Sequence, residues 1–361
     1  MIAWLWAGFV LFVVVMLALD LFVVNRKAHV INTREALGWT GVCVLLGLGF
    51  TVAVYFIYRE NWFEIASRFR EMSEGAAADP KGLGKQAAMQ FLSGWLIEYS
   101  LSMDNIFVMA LIFAHFRVPA QHQHRVLFWG ILGALILRGV MIGLGAALVH
   151  RFEWILYIFG AVLVFTAVRL LKQGDEDIHP ERGFVLRAAR RLLPISPTND
   201  GQRFTTRVAG KLVFTPLFVV LLVVETTDVV FAIDSIPAIF GITRDPFLVF
   251  TSNVFAIMGL RSLYFALAAL MDRFQHLKFS LSFILAFVGV KMLLEGADLP
   301  RTLAGWAWKD GIPSWLGWLP NEGIHIPAGV SLAVIVAALT VGIGTSLVAS
   351  RSKTPADSGD A

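Results

Sequence analysis

Two stretches of this chain set carboxylates inside otherwise apolar sequence, and both do so with one spacing. In GWLIEYSLSMDNIF (94–107) Glu98 stands six residues before Asp104, which is followed by Asn105 and Ile106. In VVETTDVVFAIDSIPA (223–238) Asp228 stands six residues before Asp234, followed by Ser235 and Ile236, and Glu225 lies three residues before Asp228. A charged side chain at a helix centre in hydrocarbon costs about 2.5–3.5 kcal/mol, so three in one span cost roughly 8–10 kcal/mol. Ten or so Val, Leu and Phe return only about 3–6 kcal/mol. These acids must therefore face a partner or a wet cavity rather than lipid. Carboxylate and amide oxygens without thiolates form a hard ligand set, suited to Mg²⁺, Ca²⁺ or Mn²⁺. The candidate metal-binding residues are accordingly Glu98, Asp104, Asn105, Glu225, Asp228, Asp234 and Ser235. Met103 and Met109 could add a softer ligand, but methionine in an apolar helix is usually packing. Five clustered carboxylates facing one divalent ion repel one another and favour shared protons when the ion is gone, which makes metal–proton exchange the natural chemistry. The metal is then cargo, with no resident cofactor. No nucleophile–base pair or phosphate loop points to an enzyme.

The elements that carry these residues follow from composition. Of 361 residues 57% are apolar and 16% charged, and the mean hydropathy is +0.71. Those values exclude an ordinary soluble globule and imply an all-α, polytopic membrane protein. Nine apolar runs are long enough to span: 3–24, 37–57, 87–113, 126–149, 152–172, 213–239, 247–270, 277–296 and 326–349. The N-terminal run lacks a basic leader and is too long for a signal peptide's apolar core, so it reads as a retained first span. The net charge of +4 and pI near 9.3 reflect Lys and Arg in the loops between spans, which orient the chain in a bilayer and do not call for nucleic acid. Cys43 is the single cysteine, so no intrachain disulfide or cysteine-pair redox motif exists.

The longest polar stretch, 173–212, begins with GDED and then carries Arg182, Arg187, Arg190, Arg191, Arg203, Arg207 and Lys211. By the positive-inside rule it is cytoplasmic, which puts the N-terminus outside and the C-terminus in the cytoplasm. Within it FVLRAARRLLPI reads either as an amphipathic helix on anionic headgroups or as a solvated basic linker. Between the last two spans Trp306, Trp308, Trp315 and Trp318 stand among Gly and Pro, as irregular backbone at an interface would require.

The two acidic stretches belong to an internal repeat. LILRGVMIGLGAAL around Arg138 aligns with IMGLRSLYFALAAL around Arg261, and FTAVRLL aligns with FVGVKML, pairing Phe165, Val168 and Arg169 with Phe287, Val290 and Lys291. Two three-helix units, 91–172 and 221–294, are thereby related. They begin three spans apart, so corresponding helices cross the membrane in opposite directions; an inverted three-plus-three repeat places its site near the midplane between the copies. The organisation is 1–90 with two helices and a loop, 91–172 as the first repeat, 173–212 as the basic loop, 213–296 with the second repeat, and 297–361 with the interfacial segment, last helix and tail.

Helix geometry limits what this spacing can do. On an unbroken helix Glu98, Ser102 and Asn105 share a stripe, as do Asp228 and Ser235, whereas Asp104 and Asp234 point about a third of a turn away. Bringing all of them to one centre requires local unwinding, which Pro237 makes plausible in the second copy. Arg138, Arg261 and Lys291, with Asp20 near the end of the first span, are candidates for an ion or proton pathway. The matched arginines either occupy the carboxylates when no ion is bound or pair structurally, and a buried lattice of acids and bases is the plain alternative for the whole set. His115, His122 and His124 could form a metal entry site but read more simply as a solvated loop.

The segments EYSLSMDNIFV, LFWGILGALILRG, TPLFVVLLVVETTDVVFAIDSIPAIFGITRDPF and TSNVFAIMGLRSLYF resemble the TerC/Alx family of bacterial integral membrane proteins, and NRKAHVINTREALGW resembles its Alx-type branch. The resemblance runs from about residue 18 to 296 and leaves 297–325 and the tail uncovered. It implies the LysE-like transporter group, a multi-pass inner-membrane location, and association with manganese export, alkaline-pH response and tellurium resistance. It also places the family's acidic signature on Glu98, Asp104, Asn105, Glu225, Asp228, Asp234 and Ser235, with Asp20 as a further acid. The expected activity is Mn²⁺ efflux in exchange for protons; a Ca²⁺/H⁺ exchanger, or a membrane protein that supplies metal to secretion-pathway partners, is the alternative.

Overall fold

Polar punctuation decides where the apolar runs become helices. Pro80, Pro216 and Pro246 each stand in a first helical turn, where a missing N–H costs nothing and φ is already set. Asp79 and Asp245 cap two of these starts, accepting from Gly82 N and Phe247 N at 2.8 Å each. The computed structural model describes residues 2–19, 33–72, 76–152, 154–172, 191, 193–196, 201, 203–208, 210–268, 277–295 and 326–352. Asp20, most of the basic stretch and the tryptophan-rich 306–318 segment lie outside the described residues, as does the side chain of Asp104.

The helices are α1 (Ile2–Leu19), α2 (Thr33–Arg59), the short α3 (Ile65–Met72), α4 (Pro80–His115), α5 (Ala120–Arg151), α6 (Ile155–Lys172), α7 (Pro216–Phe240), α8 (Pro246–Met258), α9 (Leu260–Ala268), α10 (Leu277–Glu295) and α11 (Ala328–Ser352). Among the described residues eight stretches are long and apolar enough to cross a membrane, with α8 and α9 together making one of them, Pro246–Ala266. The apolar part of α10, Phe279–Leu294, is shorter. Every expected span thus has its helix, and the chain is an all-α, polytopic membrane protein in fold class.

One element departs from the expected basic loop. Thr205–Val208 (β1) and Lys211–Phe214 (β2) form an antiparallel hairpin in which Thr205 pairs with Phe214 and Val208 with Lys211. Gly210, at φ 79°, supplies the left-handed residue that so tight a hairpin turn needs. The strand also takes residues 213 and 214 from the start of the expected sixth span, so α7 begins at Pro216.

Burial separates centre from rim. Most of α4 and of the α8–α9 stretch is buried, whereas little of α1 or α2 is. The rim helices turn residues such as Trp4, Leu11, Leu45 and Val52 outward, which suits lipid as solvent. Glu98, Asn105, Arg138, Asp228, Ser235 and Asn253 are buried where α4, α5, α7 and α8 meet, which makes that junction the candidate site. Two further contacts hold the frame. Tyr58 on α2 donates to Asp245 Oδ2 at 2.7 Å, both groups being buried, and so ties the rim to the start of α8. Against α10, α6 packs main chain to main chain: a Cβ on Gly160 would come within 2.9 Å of the Gly289 carbonyl oxygen, and one on Gly289 within 2.8 Å of that of Gly160. Beside them Ser282 Oγ donates to the Ala167 carbonyl at 2.7 Å.

Candidate functional site

The helix register gathers one set of polar groups around Arg138. On α4, Glu98, Ser102 and Asn105 recur every three or four residues and face inward; on α7, Asp228 and Ser235, seven residues apart, share one inward stripe. Arg138 reaches between them from α5. Its Nε and Nη2 donate to Asp228 Oδ2 and Oδ1 at 3.1 and 2.9 Å, a two-pronged pairing that fixes the guanidinium plane. Its Nη1 donates to Glu98 Oε1, to Asn253 Oδ1 at 3.0 Å and, more weakly, to Ser235 Oγ at 3.4 Å. Asn105 Nδ2 donates to Asp228 Oδ1 at 2.8 Å. All six side chains are buried, Glu98 completely. A guanidinium is suited to this place because it stays charged and offers a fork of donors that a lysine lacks.

The donors do not fill the acceptors. Glu98 Oε2, Ser102 Oγ and Asn105 Oδ1 are buried and meet no hydrogen-bond partner among the described residues. These oxygens come from the inward stripe of α4. Burying such groups unpaired costs on the order of 1–3 kcal/mol each, so the cluster holds two carboxylates, one cation and unfilled oxygen capacity at the centre of a membrane protein.

The contacts also give helix directions. Along α4 the order Gly94, Glu98, Asn105 meets Ile239, Ser235 and Asp228 on α7, the Glu98–Ser235 step passing through the shared Nη1. The two acidic helices therefore run antiparallel. Along α5 the order Gly130, Gly133, Arg138 meets Val224, Glu225 and Asp228, so α5 and α7 run parallel.

Other candidates lie apart. The expected unwinding at Pro237 does not occur: α7 is one helix from Pro216 to Phe240, because the proline sits within a turn of its end, where the disrupted hydrogen bond weakens the helix least. Asp234 consequently stays a third of a turn from Asp228 and is half-buried against α6, where Thr166 Oγ1 donates to its Oδ1 at 2.8 Å and Arg169 lies in electrostatic reach. The backbone of Asp104 lies in continuous helix beside Asn105. Glu225 is half-buried, its carboxylate set against Gly133. Arg261, on α9, sets Nη1 3.3 Å from His124 Nε2, and Lys291 is buried on α10. Gln123, next to His124, accepts from Tyr264 Oη at 3.0 Å, and the His115 ring meets Phe116 edge-on. Among the described residues no three His, Cys, Asp or Glu side chains converge in the manner of a preformed metal site.

Asn253 and Gly133 escaped the sequence reading. Asn253 has no polar counterpart, since the aligned position in the first repeat is Gly130. An amide inside the apolar run FTSNVFAIM was its available signal. Gly133 gave none, because a glycine in a membrane helix is commonplace.

Comparison with known proteins places this architecture. Residues 83–354 match the Integral membrane protein TerC family. An uncharacterized membrane protein of Myxococcus xanthus, STKORF319, is 43% identical over 353 residues, covering 98% of this chain and 95% of its own. The protein of Escherichia coli strain K12 that carries the provisional name membrane-bound redox modulator Alx is 46% identical over 292 residues, 80% of this chain and 85% of its own. An uncharacterized membrane protein of Rickettsia felis is 34% identical over 343 residues, 95% and 97% of the two chains. No solved structure matches. The family match continues through 297–325 to residue 354 and so corrects the narrower resemblance ending near 296. With its spanning helices and its acids gathered on the central ones, the chain belongs to the TerC family of integral membrane proteins.

Proposed function

We propose that this protein exports a divalent cation, Mn²⁺, across the bacterial inner membrane in exchange for protons. The observation that carries the reading is the Arg138 centre. Glu98 and Asp228, the matched acids of the two repeats, share one guanidinium while Glu98 Oε2, Asn105 Oδ1 and Ser102 Oγ keep unfilled acceptor capacity. Arg138 acts there as a tethered cation, holding the carboxylates until cargo displaces it. The incoming ion finds oxygen ligands from Glu98, Asn105, Asp228 and Ser235, with Asn253 steadying the displaced guanidinium. Preference for Mn²⁺ within the hard cations rests on the family resemblance. A redox-active cargo also fits the provisional redox role in the name of the Alx relatives.

Alternating access is supported by pairwise symmetry. Exchanging the repeats turns the Asn105–Asp228 hydrogen bond into the pair Ser235 and Glu98, which meet through the shared Arg138 Nη1, and the Gly160–Gly289 contact into Ser282–Ala167. Such exchange, with the antiparallel acidic helices, is what an inverted repeat produces. In that frame the N-terminus is outside, the 173–212 stretch and the C-terminus are cytoplasmic, and the bilayer, the cation and protons are the partners.

Reconstituted vesicles test this directly. Mn²⁺ flux should depend on the protein, run uphill when an opposing pH gradient is imposed, and fall when a protonophore collapses that gradient. Flux indifferent to both would contradict the coupling, and no flux of any divalent cation would contradict transport.

A further inference from the structure

Two rungs of the α5–α7 interface bring acids of α7 against α5, and they differ in what meets each acid. On one rung Asp228 is gripped through both oxygens by Arg138. On the next, three residues earlier on α7, Glu225 meets Gly133, and a Cβ built on that glycine would overlap the Glu225 carboxylate at both oxygens and its carbon. All three atoms are the far end of a flexible side chain, so a methyl at residue 133 would turn the carboxylate out of this seat while leaving the helix backbones where they are. Glycines on the same helix are not all so used: around Gly143 there is open space within 4 Å. Glu225 is half-buried, and its Oε2 meets no donor among the described residues. It is therefore a carboxylate seated one turn from Asp228, with no cation paired to it among the described residues.

We propose that Gly133 is a positioning residue for the transported cation: by leaving room for the Glu225 carboxylate it makes Glu225 the receiving group that takes the ion before Asp228 does. The inference rests on the divalent-cation reading above. Arg138 guards Asp228 and Glu98, so an ion arriving at that centre alone would have to displace a guanidinium with nothing holding the ion meanwhile. Glu225 supplies that hold from the same face of α7. The ion can then engage Asp228 as Arg138 withdraws, and two negative groups share the charge throughout the transfer.

The test uses Mn²⁺ itself as probe, with binding to the purified full chain read from loss of the free-ion EPR signal and flux read in vesicles. Gly133→Ala should weaken Mn²⁺ binding by about 10- to 100-fold, the range for disturbing a ligand's support. Gly143→Ala should bind as the parent does. The double variant Gly133→Ala with Glu225→Asp, whose side chain is one methylene shorter, should recover most of the binding, which a general packing defect would not do. Gly133→Ala binding like Gly143→Ala would overturn the proposal, and so would failure of the shorter acid to rescue a monodisperse protein. Binding that follows the expected pattern without any flux would leave this positioning role standing and sink the transport reading instead. A parent chain that binds no Mn²⁺ would overturn both.

Discussion

Asp228 and Asp234 are the same residue type on the same helix, six positions apart, yet they live in different surroundings. Asp228 is buried among Arg138, Asn105 and, across the guanidinium, Glu98. Asp234 is half-buried against α6 and receives one hydroxyl from Thr166. An unbroken helix turns six residues through a third of a circle short of two full turns, and nothing in α7 corrects for it. Equal spacing in two copies therefore marks related helices without making every matched acid a member of one site. The register that unites Glu98 with Asn105 and Asp228 with Ser235 is the same one that separates Asp234.

The contrast can be broken most forcefully at Asp228. Asp228→Asn removes the two-pronged carboxylate partner of Arg138, leaving Glu98 to neutralise it, and should cost about 2–3 kcal/mol of stability in detergent-solubilised protein, read from unfolding curves. Asp234→Asn, which keeps an acceptor for Thr166, should cost about 1 kcal/mol or less by the same measurement. Equal losses would erase the distinction. Arg138→Lys keeps the charge but loses the fork, and should fall between, at about 2 kcal/mol, because one ammonium cannot serve Asp228 side-on while reaching Glu98 and Asn253. Asn253→Ala takes one acceptor from Arg138 and should cost about 1–2 kcal/mol. An effect as small as that of Asp234→Asn belongs to its partner on α6: Thr166→Val should cost about 1 kcal/mol or less while leaving Mn²⁺ binding at the Arg138 centre unchanged.

Much of this arrangement was legible from residue types alone. Apolar runs located the spans, since a bilayer demands continuous helix of a set length. The doubled acids pointed to α4 and α7, and the aligned arginine on α5 completed the centre. What could not be read was orientation within the interior. Pro237 had implied a break that its position near the helix end makes unnecessary, so Asp234 was expected at a centre it does not reach. Gly133 matters through an atom it lacks, and Asn253 has no partner in the repeat to draw attention to it. The Thr205–Phe214 hairpin was hidden because its strands are short and lie in a stretch whose basic charge dominated the reading.

In the exchange proposed above, cargo and Arg138 compete for Glu98 and Asp228, with Asp234 outside the contest. The most direct measurement is Mn²⁺ binding to folded, monodisperse parent, Asp228→Asn and Asp234→Asn proteins, each titrated at one pH. Asp228→Asn should weaken binding by at least about a hundredfold, a ligand mattering no less than its supports, while Asp234→Asn should bind as the parent does. Parent-like binding by Asp228→Asn, or loss of binding in Asp234→Asn instead, would contradict that competition.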